Sequence, residues 1–193
     1  RHLARLRGCV TQVAFQRRIT PMVARLRDKC LERGPITHAL CRFYKCDFTP
    51  MLGARDHMMD DCVHSIDTLR WICGGKLKSI DGICRRNCGN PDVNFISATL
   101  GFDNGSIGYL INSWTSGRRI FAVEMHAPGI CVEAEHEGRA RLYADNDLEG
   151  IEFDARAEAG GDELFRFTGV LDKCREFVDC CRRGEQPDSS FED

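Results

Sequence analysis

The sequence carries no surplus of either charge, no long apolar run, no paired cysteine motif and no glycine fingerprint for phosphate. Lys and Arg number 27 against 29 Asp and Glu, a net charge of −2. Without a basic field, nucleic acid is not an expected partner. No apolar run approaches the ~20 residues that cross a bilayer, and the charged residues after Arg1 do not read as a signal peptide. No Gly-x-Gly-x-x-Gly opens a strand–helix unit, which excludes a dinucleotide phosphate loop from this sequence. Twelve cysteines are present, yet none stands in C-x-x-C spacing. The nearest pairs are Cys84 with Cys88 and the adjacent Cys180–Cys181. A zinc tetrahedron needs tight pairs delivered by turns, so no metal is expected. Reduced, mostly buried thiols in a cytoplasmic protein are the expected state.

What is present is a globular composition: 193 residues, 42% hydrophobic and 29% charged. That excludes disorder and suits one domain or a large part of a two-domain protein. Arg1 to Gly8 reads as the end of a helix, and Val10 to Phe15 as a strand. Pro21 starts a helix whose apolar positions Met22, Val23, Leu26, Cys30 and Leu31 recur at helical spacing up to Gly34. Ile36 to Tyr44 is a strand, and Lys45 to Arg55, with Pro50 and Gly53, a loop. A helix from about Asp56 to Cys73 stops at Gly74-Gly75. Strands then follow at 77–84, 94–102, 106–114, 119–126, 130–134, 139–143 and 148–153. Asp103-Asn104-Gly105 is a tight-turn signal between two of them. A final helix spans about 162–183. This order predicts an α+β fold, a predominantly antiparallel open sheet with helices packed on one face. The other face, supplied by Tyr109, Ile111, Phe121 and Val123, is expected to serve self-association.

The chemistry concentrates on the second long helix. Asp60, His64 and Asp67 are spaced i, i+4, i+7 and share one helical face, with Trp71 continuing the stripe. An Asp one turn from a His can accept its ring N–H, fix the tautomer and favour the imidazolium. A His held in this way can exchange a proton with a substrate hydroxyl. The same spacing also describes an ordinary solvated face with an i,i+4 ion pair. His57 and Asp61 lie on a rotated face and read as solvated; His126 reads as structural.

Asp60-x-x-x-His64-x-x-Asp67, followed by Leu69-Arg70-Trp71 and Gly74, resembles the C-terminal domain of the glucose–fructose oxidoreductase/inositol dehydrogenase/MocA family. Val13-Ala14-Phe15-Gln16-Arg17-Arg18-Ile19-Thr20-Pro21 is similar to the segment by which such enzymes leave their cofactor domain. Gly34-Pro35-Ile36, the hairpin Leu100 to Gly108 and Ser113-Trp114 also match in place. The resemblance implies hydride transfer between NAD or NADP and a carbon of a sugar, polyol or related carbohydrate. It implies His64 as the acid/base, Asp60 as its partner and Asp67 as a substrate ligand. Arg17 is placed near the substrate, with a surface cation as the other reading, and Trp114 at the pocket edge, with a core position as the other. It further implies that residues 1–15 are the end of a Rossmann domain and 16–193 a substrate-binding and oligomerisation domain cut at its C-terminus. No cofactor is then expected on this chain alone. The family's Glu-Lys-Pro motif is absent, Cys62 replaces a usual glycine, and Ala54-Arg55-Asp56 stands where glycines are usual. An NAD-dependent glycosidase of the same family, or a non-catalytic binding module of the same fold, are the alternatives.

Overall fold

Alternating burial along the strands builds one sheet with a covered and an open face. The computed structural model describes residues 1–51 and 56–193, so Gly53, Ala54 and Arg55 of the expected loop lie outside the described residues. The strands are β1 (His38–Cys46), β2 (Leu77–Arg85), β3 (Phe95–Phe102), β4 (Ile107–Ser113), β5 (Thr115–Ala127), β6 (Ile130–Glu135), β7 (Arg139–Ala144) and β8 (Ile151–Asp154). They are ordered β2-β3-β4-β1-β5-β6-β7-β8. Only the central β1–β4 pair is parallel, because α3 (Val63–Cys73), β2 and β3 intervene between the two strands. The architecture is α+β, as expected.

Helices α2 (Pro21–Arg33) and α3 cover one face. Proline at the first turn of α2 costs no hydrogen bond, since that N–H has no partner in the helix. Met22, Val23, Leu26 and Cys30 of α2, with Leu69 and Ile72 of α3, are each 0% exposed. They meet Cys41, Leu110, Val123, Met125 and Val132 from the strands. The Asn-Gly hairpin also stops α3. Gly105 takes φ 88°, and Asn104 Nδ2 donates to the Cys73 carbonyl at 2.9 Å. Ser106 Oγ donates to the same carbonyl at 3.2 Å, satisfying an acceptor the helix leaves free.

Four expectations are corrected. Val10 to Phe15 joins no sheet; Val13 N instead donates to the Ser189 carbonyl at 2.7 Å, and Ser189 Oγ donates back to Val13 O at 2.9 Å. The final helix expected over 162–183 is two, α5 (Leu164–Phe167) and α6 (Val170–Arg183), preceded by a short α4 (Ala155–Ala159). Gly169 makes the break, at φ 81° and with no room for a side chain, since a Cβ there would lie 2.5 Å from the Gln16 carbonyl oxygen. This close approach seats α6 on a 3-10 turn, Gln16–Ile19, that carries two arginines. Phe121 and Val123 lie under the helices, not on the open face, because they share the pleat side of Phe43 and Cys41. Of the twelve cysteines only Cys30, Cys41, Cys62, Cys73 and Cys180 are buried; none of the twelve is bridged.

No helix among the described residues is long and apolar enough to cross a membrane.

Candidate functional site

The helix expected over 56–73 begins with a π-helical turn, Met58–Cys62, before the regular α3. A π turn holds more residues per turn than an α-helix and recurs at functional sites. It changes which acid serves which neighbour, because α spacing no longer applies across it. Asp61, read from the sequence as solvated, is a half-buried hub. Lys45 Nζ donates to both its oxygens at 2.9 and 2.7 Å, and Trp114 Nε1 donates to Oδ2 at 2.9 Å. A buried indole N–H requires such an acceptor. His57, also read as solvated, is 3% exposed and stacks on Trp114 with ring centres 4.1 Å apart. A buried network ties the turn to the sheet: Asn112 Nδ2 donates to Cys62 Sγ and, at 2.8 Å, to Ser65 Oγ.

Trp114 is therefore a core residue at 1% exposure, out of a ligand's reach, and its place at the pocket edge is corrected. Its task is to hold Asp61.

His64 is half-buried at the start of α3, edge-on to Phe15 at 6.3 Å. Its Nδ1 is buried and makes no hydrogen bond among the described residues. Burial lowers the His64 pKa, and the neighbouring Arg17 charge lowers it further. Asp61, and after it Asp60, pull the other way and are outweighed. The ring is thus held neutral at pH 7, where the sequence had suggested an imidazolium.

Asp67 is 3% exposed and faces Arg18, whose Nε donates to both carboxylate oxygens at 3.0 and 2.9 Å. Arg18 Nη2 also bonds Asp67 and Asp193. Burial works against the Arg18 charge, and the two carboxylates outweigh it, raising its pKa. Both Asp67 oxygens accept from Arg18, and burial leaves little of the carboxylate open to a substrate hydroxyl. The sequence placed Asp67 on the right face and missed its partner, although the Arg17-Arg18 pair was visible beside it.

Arg17 is also buried, at 8% exposure, so its reading as a surface cation is corrected. Its guanidinium lies 3.9 Å from the centre of the Phe121 ring, and Nη1 reaches Glu137 at 3.4 Å. His136 packs edge-on against the same Phe121 at 4.6 Å and is 0% exposed, with both ring nitrogens unbonded. The buried arginines Arg17 and Arg18 stand on the 3-10 turn that packs on α3, and the charges of Arg17 and Asp61 both act on His64. No group of three or more His, Cys, Asp or Glu among the described residues could hold a metal ion.

Residues 48–127 match the family model described as the GFO/IDH/MocA C-terminal domain. The fold agrees over nearly the whole chain with solved dehydrogenases. One from Chromobacterium violaceum aligns at TM-score 0.86 and 16% identity, covering 99% of this chain and 59% of that one. Over residues 48–127, then, the chain is similar to the GFO/IDH/MocA C-terminal domain. A Clostridium difficile dehydrogenase aligns at TM-score 0.79 and 17% identity, covering 99% of this chain and 60% of that chain. A levoglucosan dehydrogenase solved with NADH and levoglucosan aligns at 0.77 and 17%, covering 95% and 60%. At these identities the likeness shows the fold. No curated protein matches the sequence significantly. The chain spans about three-fifths of the length of the solved relatives. The sequence given holds no Gly-x-Gly-x-x-Gly strand–helix turn of the kind that receives a dinucleotide's phosphates.

Proposed function

We propose that this chain is the substrate-binding domain of an NAD(P)-dependent oxidoreductase acting at a carbon of a sugar, polyol or related carbohydrate. The observation that carries this reading is His64. It is half-buried, its Nδ1 makes no hydrogen bond, and its environment keeps it neutral at pH 7. A neutral imidazole can accept the proton that a hydroxyl gives up as its carbon is oxidised. Asp60 and Asp61 stabilise the resulting cation by their charge, while Arg17 limits that stabilisation and so keeps the proton transferable. Asp67 acts on substrate through Arg18, which it holds in place. No residue of this chain is assigned to the cofactor.

Turnover tests the assignment. In the protein joined to a cofactor domain, His64→Ala should lower kcat about 10²–10⁴-fold while leaving KM nearly unchanged. Near-wild-type kcat in that variant would remove His64 from the mechanism.

The open sheet face is assigned to self-association. Leu40 and Tyr44 of β1 lie on the same side as Tyr109 and Ile111 of β4, and Tyr109 is 40% exposed. An antiparallel sheet can leave one face to solvent, but a face with this much apolar surface favours a second copy. Sedimentation should show a dimer or larger assembly at about 10–100 μM, a range that suits a standard interface, and Tyr109→Glu should shift it to monomer.

A further inference from the structure

A cavity of about 650 Å³ opens beside Arg17, between the 3-10 turn, the start of β5 and helices α5 and α6. Leu164, Phe165 and Val170 give it an apolar wall, and its charged lining is Arg17, Arg119 and Glu137. Two cations thus face one anion. Arg119 takes most of that anion: its Nη1 and Nη2 donate to the two Glu137 oxygens at 2.8 and 3.3 Å. Arg17 keeps only the 3.4 Å contact to Glu137. Its Nε is buried without any acceptor, and an aromatic ring lies 3.9 Å from its guanidinium.

A buried guanidinium cannot shed its proton, and leaving its donors unpaired out of water is costly. The missing partner is one more anion. The rest of the lining fits a small organic molecule: apolar walls with a few convergent polar groups. The planar forks of two arginines suit a carboxylate or a phosphate. We propose that this cavity binds the anionic group of an acidic carbohydrate, a sugar acid or a sugar phosphate. Glu137 holds the arginines in place while the cavity is empty. The inference rests on the carbohydrate reading above and narrows it.

Calorimetry on the full chain at low ionic strength would compare D-glucuronate, D-glucose 6-phosphate and D-glucose. At least one acidic sugar should bind about tenfold or more tightly than glucose, and which one does tells carboxylate from phosphate. Arg119, whose side chain is 51% exposed, can be changed without opening the core. Arg119→Gln should remove the preference. Glu137→Gln should strengthen it severalfold, because the internal competitor loses its charge. Equal binding of all three sugars, no binding of any, or a preference that survives Arg119→Gln would each overturn the proposal. The carbohydrate reading fails separately, on unchanged turnover in His64→Ala.

Discussion

The two faces of the sheet treat the same residue types in opposite ways. On the covered side His57, His64 and His136 are drawn into the interior, and burial is the leading cause lowering each pKa. Arg18 and Asp67 form an ion pair there that is almost closed to water. On the open side His38 and His126 stack at 4.1 Å where solvent reaches them, and His126 Nε2 meets Glu124 at 3.0 Å. Arg141 and Glu152 pair on that side with both side chains well exposed. Adjacent residues of one strand supply both environments, because successive side chains point to opposite faces. The difference teaches that charge on this protein is chemically consequential only where water is excluded. Coulomb interactions strengthen there, and an unpaired group has no solvent to turn to.

The comparison can be broken most sharply at Asp67. Asp67→Ala leaves Arg18 buried with only Asp193 beside it, and should cost about 3–5 kcal/mol of unfolding free energy in urea. A loss no larger than that of a surface substitution would show the pair to be solvated.

The histidines sharpen it next. A group whose folded pKa lies below its unfolded value of 6.5 contributes stability above pH 6.5. That stability is lost as pH falls below 6.5, because the unfolded chain takes up the proton first. His136, fully buried and lowered well below 6.5, should carry the largest share of this loss between pH 7 and pH 5. His64 and His57 add to the same slope. The urea midpoint should therefore drop from pH 7 to pH 5, and His136→Leu should flatten the profile. A wild-type midpoint independent of pH over this range would contradict the burial of all three.

The smallest effect belongs to the open face. Glu152→Gln breaks the exposed pair with Arg141 and should leave the urea midpoint unchanged within error, since such pairs contribute little in water. A clear loss would mean that this face is covered in solution, which self-association supplies.

Most elements were legible in the sequence because they are set by local pattern. The α2 spacing, the Asn-Gly hairpin and the alternation of β3 to β7 each need only a few neighbouring residues. The final helix was misread for a reason visible at Gly169. Its apolar periodicity runs through the break, and only the approach of the Gln16 carbonyl demands a glycine. The exposed cysteines were misread because an apolar neighbour in sequence does not guarantee a buried side chain.

At the site, the sequence determined which residue types stand on the helix and in which order: Asp60, Asp61, His64 and Asp67, with Arg17 and Arg18 ahead of them. Tertiary structure decided their partners and their protonation. In the π turn Asp61 is the acid that Lys45 and Trp114 bond. Arg18 took the carboxylate that spacing alone had left free for substrate. Burial, which sums over every element packed around a side chain, made His64 neutral where one acidic neighbour at i−4 favoured a cation. Spacing along a helix is a local property and can be read from the chain. Exclusion of water is a property of the assembled layers, and it sets what each of these groups can do.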